Sequence, residues 1–116
     1  MVKGTNWYDY DEGYSIGTSG SDGGLIARDE EHDFGARITL EEDGSSAPFT
    51  VTCTIYGWMS HARFFPDESE ANREFDEMKT DLERILIIVP ADETDADEET
   101  LDEISDEISE FVERFP

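Results

Sequence analysis

The apolar residues of this chain change period once, near residue 66, and that single change limits the folds open to it. In residues 34–41, Ala36, Ile38 and Leu40 alternate with Arg37, Thr39 and Glu41. In residues 49–57, Phe49, Val51, Cys53 and Ile55 alternate with Thr50, Thr52, Thr54 and Tyr56. A period of two belongs to antiparallel strands with one face buried and the other wet. Asp43-Gly44-Ser45-Ser46 supplies turn chemistry between them. Residues 13–18, with Tyr14 and Ile16 on one side, and residues 25–29 are expected to form an earlier hairpin. Its turn is the run Ser19-Gly20-Ser21-Asp22-Gly23-Gly24. Residues 59–65 read as a last, less regular strand, which makes a meander of about five strands.

Beyond Pro66 the apolar spacing becomes three and four. Asp67 is the expected N-cap, with Glu70 three residues later in a capping-box arrangement. Ala71, Phe75, Met78, Leu82, Ile85 and Val89 then form one helical stripe, which Pro90 ends. A second helix is expected to begin near residues 95–97, its stripe being Leu101, Ile104, Ile108, Phe111, Val112 and Phe115. An antiparallel meander followed by two C-terminal amphipathic helices predicts an α+β two-layer sandwich. The helices are expected to cover the Val51/Cys53/Ile55 face and to leave the threonine face open. With no internal repeat and no Pro- or Gly-rich linker, residues 1–116 read as a single domain, strand-rich over 7–65 and helical over 67–115. A hydrophobic content of 36% is low enough to raise disorder, but thirteen aromatics and two clear periodicities confine that expectation to residues 91–100.

Charge narrows the functional classes. Thirty-one acidic residues against eight basic ones give a formal −23. Residues 66–116 carry 20 acids and 4 bases, a net −16, against 11 and 4, a net −7, in residues 1–65. Nucleic acid and anionic membrane are excluded as partners, because both require Lys and Arg to neutralise phosphates. The longest apolar run, residues 85–89, is far too short to span a bilayer. A single cysteine excludes an internal disulfide and fits a reducing compartment, and no apolar stretch follows Met1, so a cytoplasmic protein is expected.

The last helix keeps Glu98/Asp102, Asp102/Asp106, Glu103/Glu107 and Asp106/Glu110 as like-charge pairs at i,i+4. Each destabilises an isolated helix by roughly 0.2–0.5 kcal/mol. Glu110 and Glu113 also lie at the end of the helix where the dipole disfavours negative charge. Three readings compete: a solvated face tuned for solubility, adaptation to salt (Lys3 and Lys79 are the only lysines beside six arginines), and complementarity to a basic protein. Carboxylates along this helix are also compatible with mimicry of DNA phosphates.

Several motifs invite chemistry. The Gly-rich run 18–24 matches a phosphate cradle in composition only, since no Lys-Ser or Lys-Thr follows and the next segment reads as a strand; a plain hairpin turn is expected. Asp29-Glu30-Glu31-His32-Asp33 and Asp9-Tyr10-Asp11-Glu12-Gly13 resemble cation sites but lack the spacing of a zinc or EF-hand site, so no metal and no cofactor are expected. Cys53 and His61 suggest a nucleophile and base, but the alternation turns Cys53 into the core, and no catalytic residue is assigned. The richest stretch is residues 55–65, with Tyr56, Trp58, His61 and Arg63, residue types enriched at interfaces.

The expected function is therefore a small acidic, non-enzymatic protein-binding domain. Its partner would be basic, as for an immunity protein against a toxin nuclease or an acidic chaperone of an effector. Partner-binding residues are expected to be Tyr56, Trp58, His61, Arg63, Asp102, Asp106 and Glu110. The alternative is a small-ligand or enzymatic domain built on the Trp58/His61/Arg63 region, in which Arg63 binds an anion and His61 exchanges protons. A homodimer through the helix-free sheet face is a further expectation, opposed at low salt by the charge of each subunit.

Overall fold

The alternation in residues 36–65 builds a sheet, and the computed structural model describes it within residues 7–90 and 97–116. Strands β1 (Trp7–Asp9), β2 (Leu25–His32), β3 (Ala36–Glu42), β4 (Phe49–Ile55) and β5 (Met59–Phe65) lie in sequence order, each antiparallel to the next. Two helices follow, α1 (Glu68–Ile88) and α2 (Glu98–Arg114). This is the α+β architecture expected, an antiparallel meander followed by two C-terminal helices.

The first strand is not the one expected. Residues 13–18 form no strand; β1 is Trp7–Asp9, which pairs with the end of β2 through Trp7–His32. A turn at Tyr10–Gly13 follows, in which Asp11 and Glu12 take positive φ of 52° and 56°. Tyr14 and Ile16 are exposed, so no burial favours extending residues 13–18 into the sheet. Only a remnant of the expected hairpin exists: Gly17 N–H donates to Ile26 O, Ile26 N–H to Thr18 O, and Ser19 bridges to Leu25.

Register divides the sheet into two faces. Ala36, Ile38, Leu40, Val51, Cys53 and Ile55 point one way and are buried. Against them α1 sets Ala71, Phe75, Met78, Leu82, Ile85 and Leu86. Asp67 caps α1 by accepting from Ser69 N–H at 2.8 Å, and Asp97 caps α2 by accepting from Thr100 N–H at 2.8 Å. Burial of an apolar side chain contributes about 1.5–3 kcal/mol, so this single layer of contacts is the main source of stability.

The second helix leans on α1 and buries a narrower stripe than expected. Ile104, Phe111 and Phe115 are buried, but Leu101 and Val112 remain 41% and 38% exposed. Residues 91–96, which hold most of the segment expected to be disordered, lie outside the described residues, as do residues 1–6. Among the described residues no helix is long and apolar enough to cross a membrane.

Toward the β1 edge, ionic contacts replace apolar ones. Arg28 donates to Asn72 Oδ1 at 3.0 Å and Asp76 Oδ1 at 2.9 Å, its guanidinium lying 3.9 Å from the Phe75 ring centre. Lys79 reaches Glu30. Next to them His32 is buried, edge-on to Trp7 at 5.0 Å, and its Nδ1 accepts from Phe34 N–H at 3.0 Å. A proton on Nδ1 would break that bond. Burial pushes the His32 pKa down, with Glu83 and Asp33 acting weakly the other way.

A base whose folded pKa lies below its unfolded value, about 6.5, costs stability as pH falls through that window. The protein is expected to lose stability from His32 as pH drops from about 6.5 toward the folded midpoint. Urea midpoints near pH 7.5 and 5.5 check this against His32→Asn, which keeps an acceptor at the δ position and cannot protonate. The parent should lose more stability than the variant across that interval; equal losses would contradict the assignment.

Candidate functional site

The sheet face away from the helices is built from three cross-strand rows. They are Glu31–Arg37–Thr54–Ser60, Asp29–Thr39–Thr52–Ala62, and Ile26–Glu41–Thr50–Phe64. A β-bulge between Ile26 and Arg28 lets Ile26 share this face while Arg28 turns to α1.

Every charge on this face is engaged. The Asp29 carboxylate, with no exposed side-chain surface, accepts Arg37 Nε at 2.9 Å and Arg37 Nη2 at 2.7 Å, and Thr39 Oγ1 at 3.1 Å. The Arg37 guanidinium lies 3.6 Å above the Tyr10 ring centre. Glu31 accepts from Tyr8 OH at 3.1 Å and Tyr56 OH at 2.8 Å. Burial and the Glu31 contact together hold the Tyr56 phenol well above its usual range.

Glu41 is 1% exposed and has no ion-pair partner among the described residues. Its carboxylate accepts from Asp22 N–H at 3.1 Å, Gly24 N–H at 3.2 Å and Ser21 Oγ at 3.4 Å. The Gly-rich loop thus cradles an anion, and the anion is the protein's own. Gly20 has to be glycine, because a Cβ there would sit 2.2 Å from Glu41 Cδ. The loop is latched from its other side by Asp22, which accepts from Ser46 N–H at 3.1 Å, Ser46 Oγ at 2.8 Å and Thr50 Oγ1 at 3.0 Å. These bonds, the Ser46 backbone amide first, hold the Asp22 carboxyl below its ordinary pKa. Between this loop and the sheet runs an open trough of about 420 Å³, walled by Ser19–Ser21 and floored by Ile26, Arg37, Thr39, Glu41, Thr52, Thr54 and Ser60.

The aromatic-rich stretch 55–65 is divided between the two faces. Tyr56 reaches Glu31 on the open face. Trp58 sits in the β4–β5 turn, half-buried against the core. His61 and Arg63 point to the helices and hold the end of α2. His61 Nε2 donates to Phe115 O; Arg63 donates to Glu74 Oε1 at 2.8 Å and to Pro116 O at 3.3 Å, with its guanidinium 5.2 Å from the Phe115 ring centre. The structure therefore does not gather Tyr56, Trp58, His61 and Arg63 into one site. Cys53 and His61 are cross-strand neighbours, but Cys53 is fully buried and burial pushes its thiol up to about 12. Asp29 and His32 face opposite sides of the sheet, and no group of three metal-ligating side chains converges among the described residues.

Asp102, Asp106 and Glu110 are exposed at successive turns of α2. No cation lies within ion-pair distance of them among the described residues; Arg114, the helix's own cation, reaches Asp81, and Arg84 meets Glu107 at 3.3 Å. Comparison with protein-family models, curated proteins and solved structures returns no match.

Sequence reasoning located the threonine face but not the trough, because its wall depends on a loop folding back 20 residues onto Glu41. One signal was available: between Asp43 and Asp67 the chain has no acidic residue, and this acid-free run forms half of the trough floor. Glu41→Leu is expected to leave the Asp22 and Gly24 amides without acceptors, costing about 1–3 kcal/mol. Amide hydrogen exchange should accelerate selectively at Asp22 and Gly24; unchanged protection there would show that Glu41 does not hold the loop.

Proposed function

We propose that the chain is a non-enzymatic binding domain whose α2 surface receives a basic protein, in the manner of an immunity protein or an acidic chaperone. The observation that carries this reading is the ridge Asp102/Asp106/Glu110, which has no ion-pair partner among the described residues. All seven cations among the described residues form ion pairs, yet none is placed on this ridge. A helix shaped only for stability would set lysines between such acids.

The exposed Leu101 and Val112 add to the reading. They are eleven residues apart, about 16 Å along the helix and nearly on one line, roughly a third of a turn around the helix from the acids. A basic partner that wraps part of the way around α2 would pair the ridge and cover the apolar line, while the long-range field would raise its association rate. The commitment of His61 and Arg63 to the end of α2, and the burial of Cys53, weigh against reactive chemistry in residues 53–63.

Capture from host lysate at about 0.15 M salt, beside a charge-matched acidic control, is the first test. The decisive variant is Asp102→Asn/Asp106→Asn/Glu110→Gln. It relieves three like-charge contacts and is expected to gain roughly 0.6–1.5 kcal/mol of stability while losing the captured protein. A variant that is stabilised and still captures the same protein would remove the ridge from the interface. Proteins held equally by the control would reduce the acidity to solubility or salt adaptation.

A further inference from the structure

The trough on the helix-free face is a separate matter from the α2 ridge. Its wall is held by more structure than a hairpin turn needs. Glu41 is buried beneath it and satisfied by two backbone amides and a hydroxyl; Asp22 clamps it to residues 45–50; Gly20 clears the space between. The concavity that results, about 420 Å³, falls within the range of small-molecule sites, about 300–1,000 Å³.

The lining selects the ligand by elimination. A cation finds no free carboxylate, because Asp29 is neutralised by Arg37 and Glu41 is fully hydrogen-bonded. An anion meets the field of a −23 chain and a guanidinium whose charge Asp29 already balances. What remains is hydroxyl chemistry. Thr52 presents a hydroxyl that both donates and accepts; Thr54 and Ser60, 3.3 Å apart and sharing one hydrogen bond, keep one proton and their remaining lone pairs for a ligand; and Thr39, whose proton goes to Asp29, adds an acceptor. Arg37 Nη1 finds no acceptor among the described residues and adds a fixed donor at the rim. We infer that the trough binds a neutral polyhydroxylated small molecule, of monosaccharide to disaccharide size.

The test is a two-dimensional amide NMR titration at about 0.15 M salt. Glucose, N-acetylglucosamine, maltose and myo-inositol are the probes; inorganic phosphate and arginine are the charged controls. At least one neutral probe should shift Thr39, Thr52, Thr54, Ser60 and the Arg37 Nε–H along one saturation curve, with affinity in about the millimolar range expected for so small a polar ligand. Thr52→Val/Thr54→Val keeps shape and strand propensity, and should weaken that binding about tenfold without lowering the thermal midpoint. Ser60→Phe, which fills the trough, should abolish it. The idea is overturned if no neutral probe gives saturable shifts there, or if phosphate or arginine moves these residues more. It is equally overturned if their shifts change with protein concentration alone, since a second copy would then cover the face. The α2 triple variant should leave the sugar response intact, so this site and the basic-protein reading can fail independently.

Discussion

Positive charge is the scarce material in this molecule, and the joints between its elements depend on where it is placed. Arg28 and Lys79 tie β2 to α1; Arg63 ties β5 to α1 and to the chain end; Arg84 and Arg114 tie α1 to α2; Arg37 joins β2 to β3. Among the described cations, only Arg73, paired with neighbours on its own helix, serves no such joint. Exposed ion pairs contribute little individually, about 0–1 kcal/mol, so these cations matter less as a sum than as a pattern. They neutralise Asp29, Glu30, Glu74 and Asp81, which packing carries toward the core, and leave most of the outer surface uncompensated.

Where cations are missing, hydrogen-bond donors hold the anions, buried Glu41 above all. Two amides and a hydroxyl serve Glu41, two tyrosine hydroxyls serve Glu31, and Ser46 with Thr50 serve Asp22. A buried carboxylate without partners would shift toward its neutral form or destabilise the fold by several kcal/mol. The Gly-rich loop is therefore part of the electrostatic solution as well as a turn. The amides of Gly20, Asp22, Gly23 and Gly24 are all engaged within the chain, which makes the loop a fixed wall.

Much of this was legible in the sequence. The alternation of Ile38, Val51 and Cys53 gave the buried face, and the stripe from Ala71 to Ile85 gave α1, because both periods are imposed by one extensive apolar surface. The first strand was not legible: Trp7–Asp9 is too short to show a period, and Tyr14 and Ile16 imitate one without being buried. The division of residues 56–63 was within reach. Phe65 is apolar and ends the strand, and parity from it places Arg63, His61 and Met59 on the helix side. Residue type suggested an interface; strand parity decides that two of its members face inward.

The two surfaces that remain differ in kind. On α2, acids at successive turns have no ion-pair partner among the described residues, so a partner docking there would have to supply the cations, and salt weakens the attraction. On the open sheet face each carboxylate is already satisfied within the chain, and the acid-free run between Asp43 and Asp67 keeps further charge away. Binding there rests on short-range hydroxyl geometry, which salt screens little. One chain of −23 thus holds a long-range electrostatic surface and an electrically quiet one on opposite layers, separated by the core that the period-two and period-3.6 patterns bury between them.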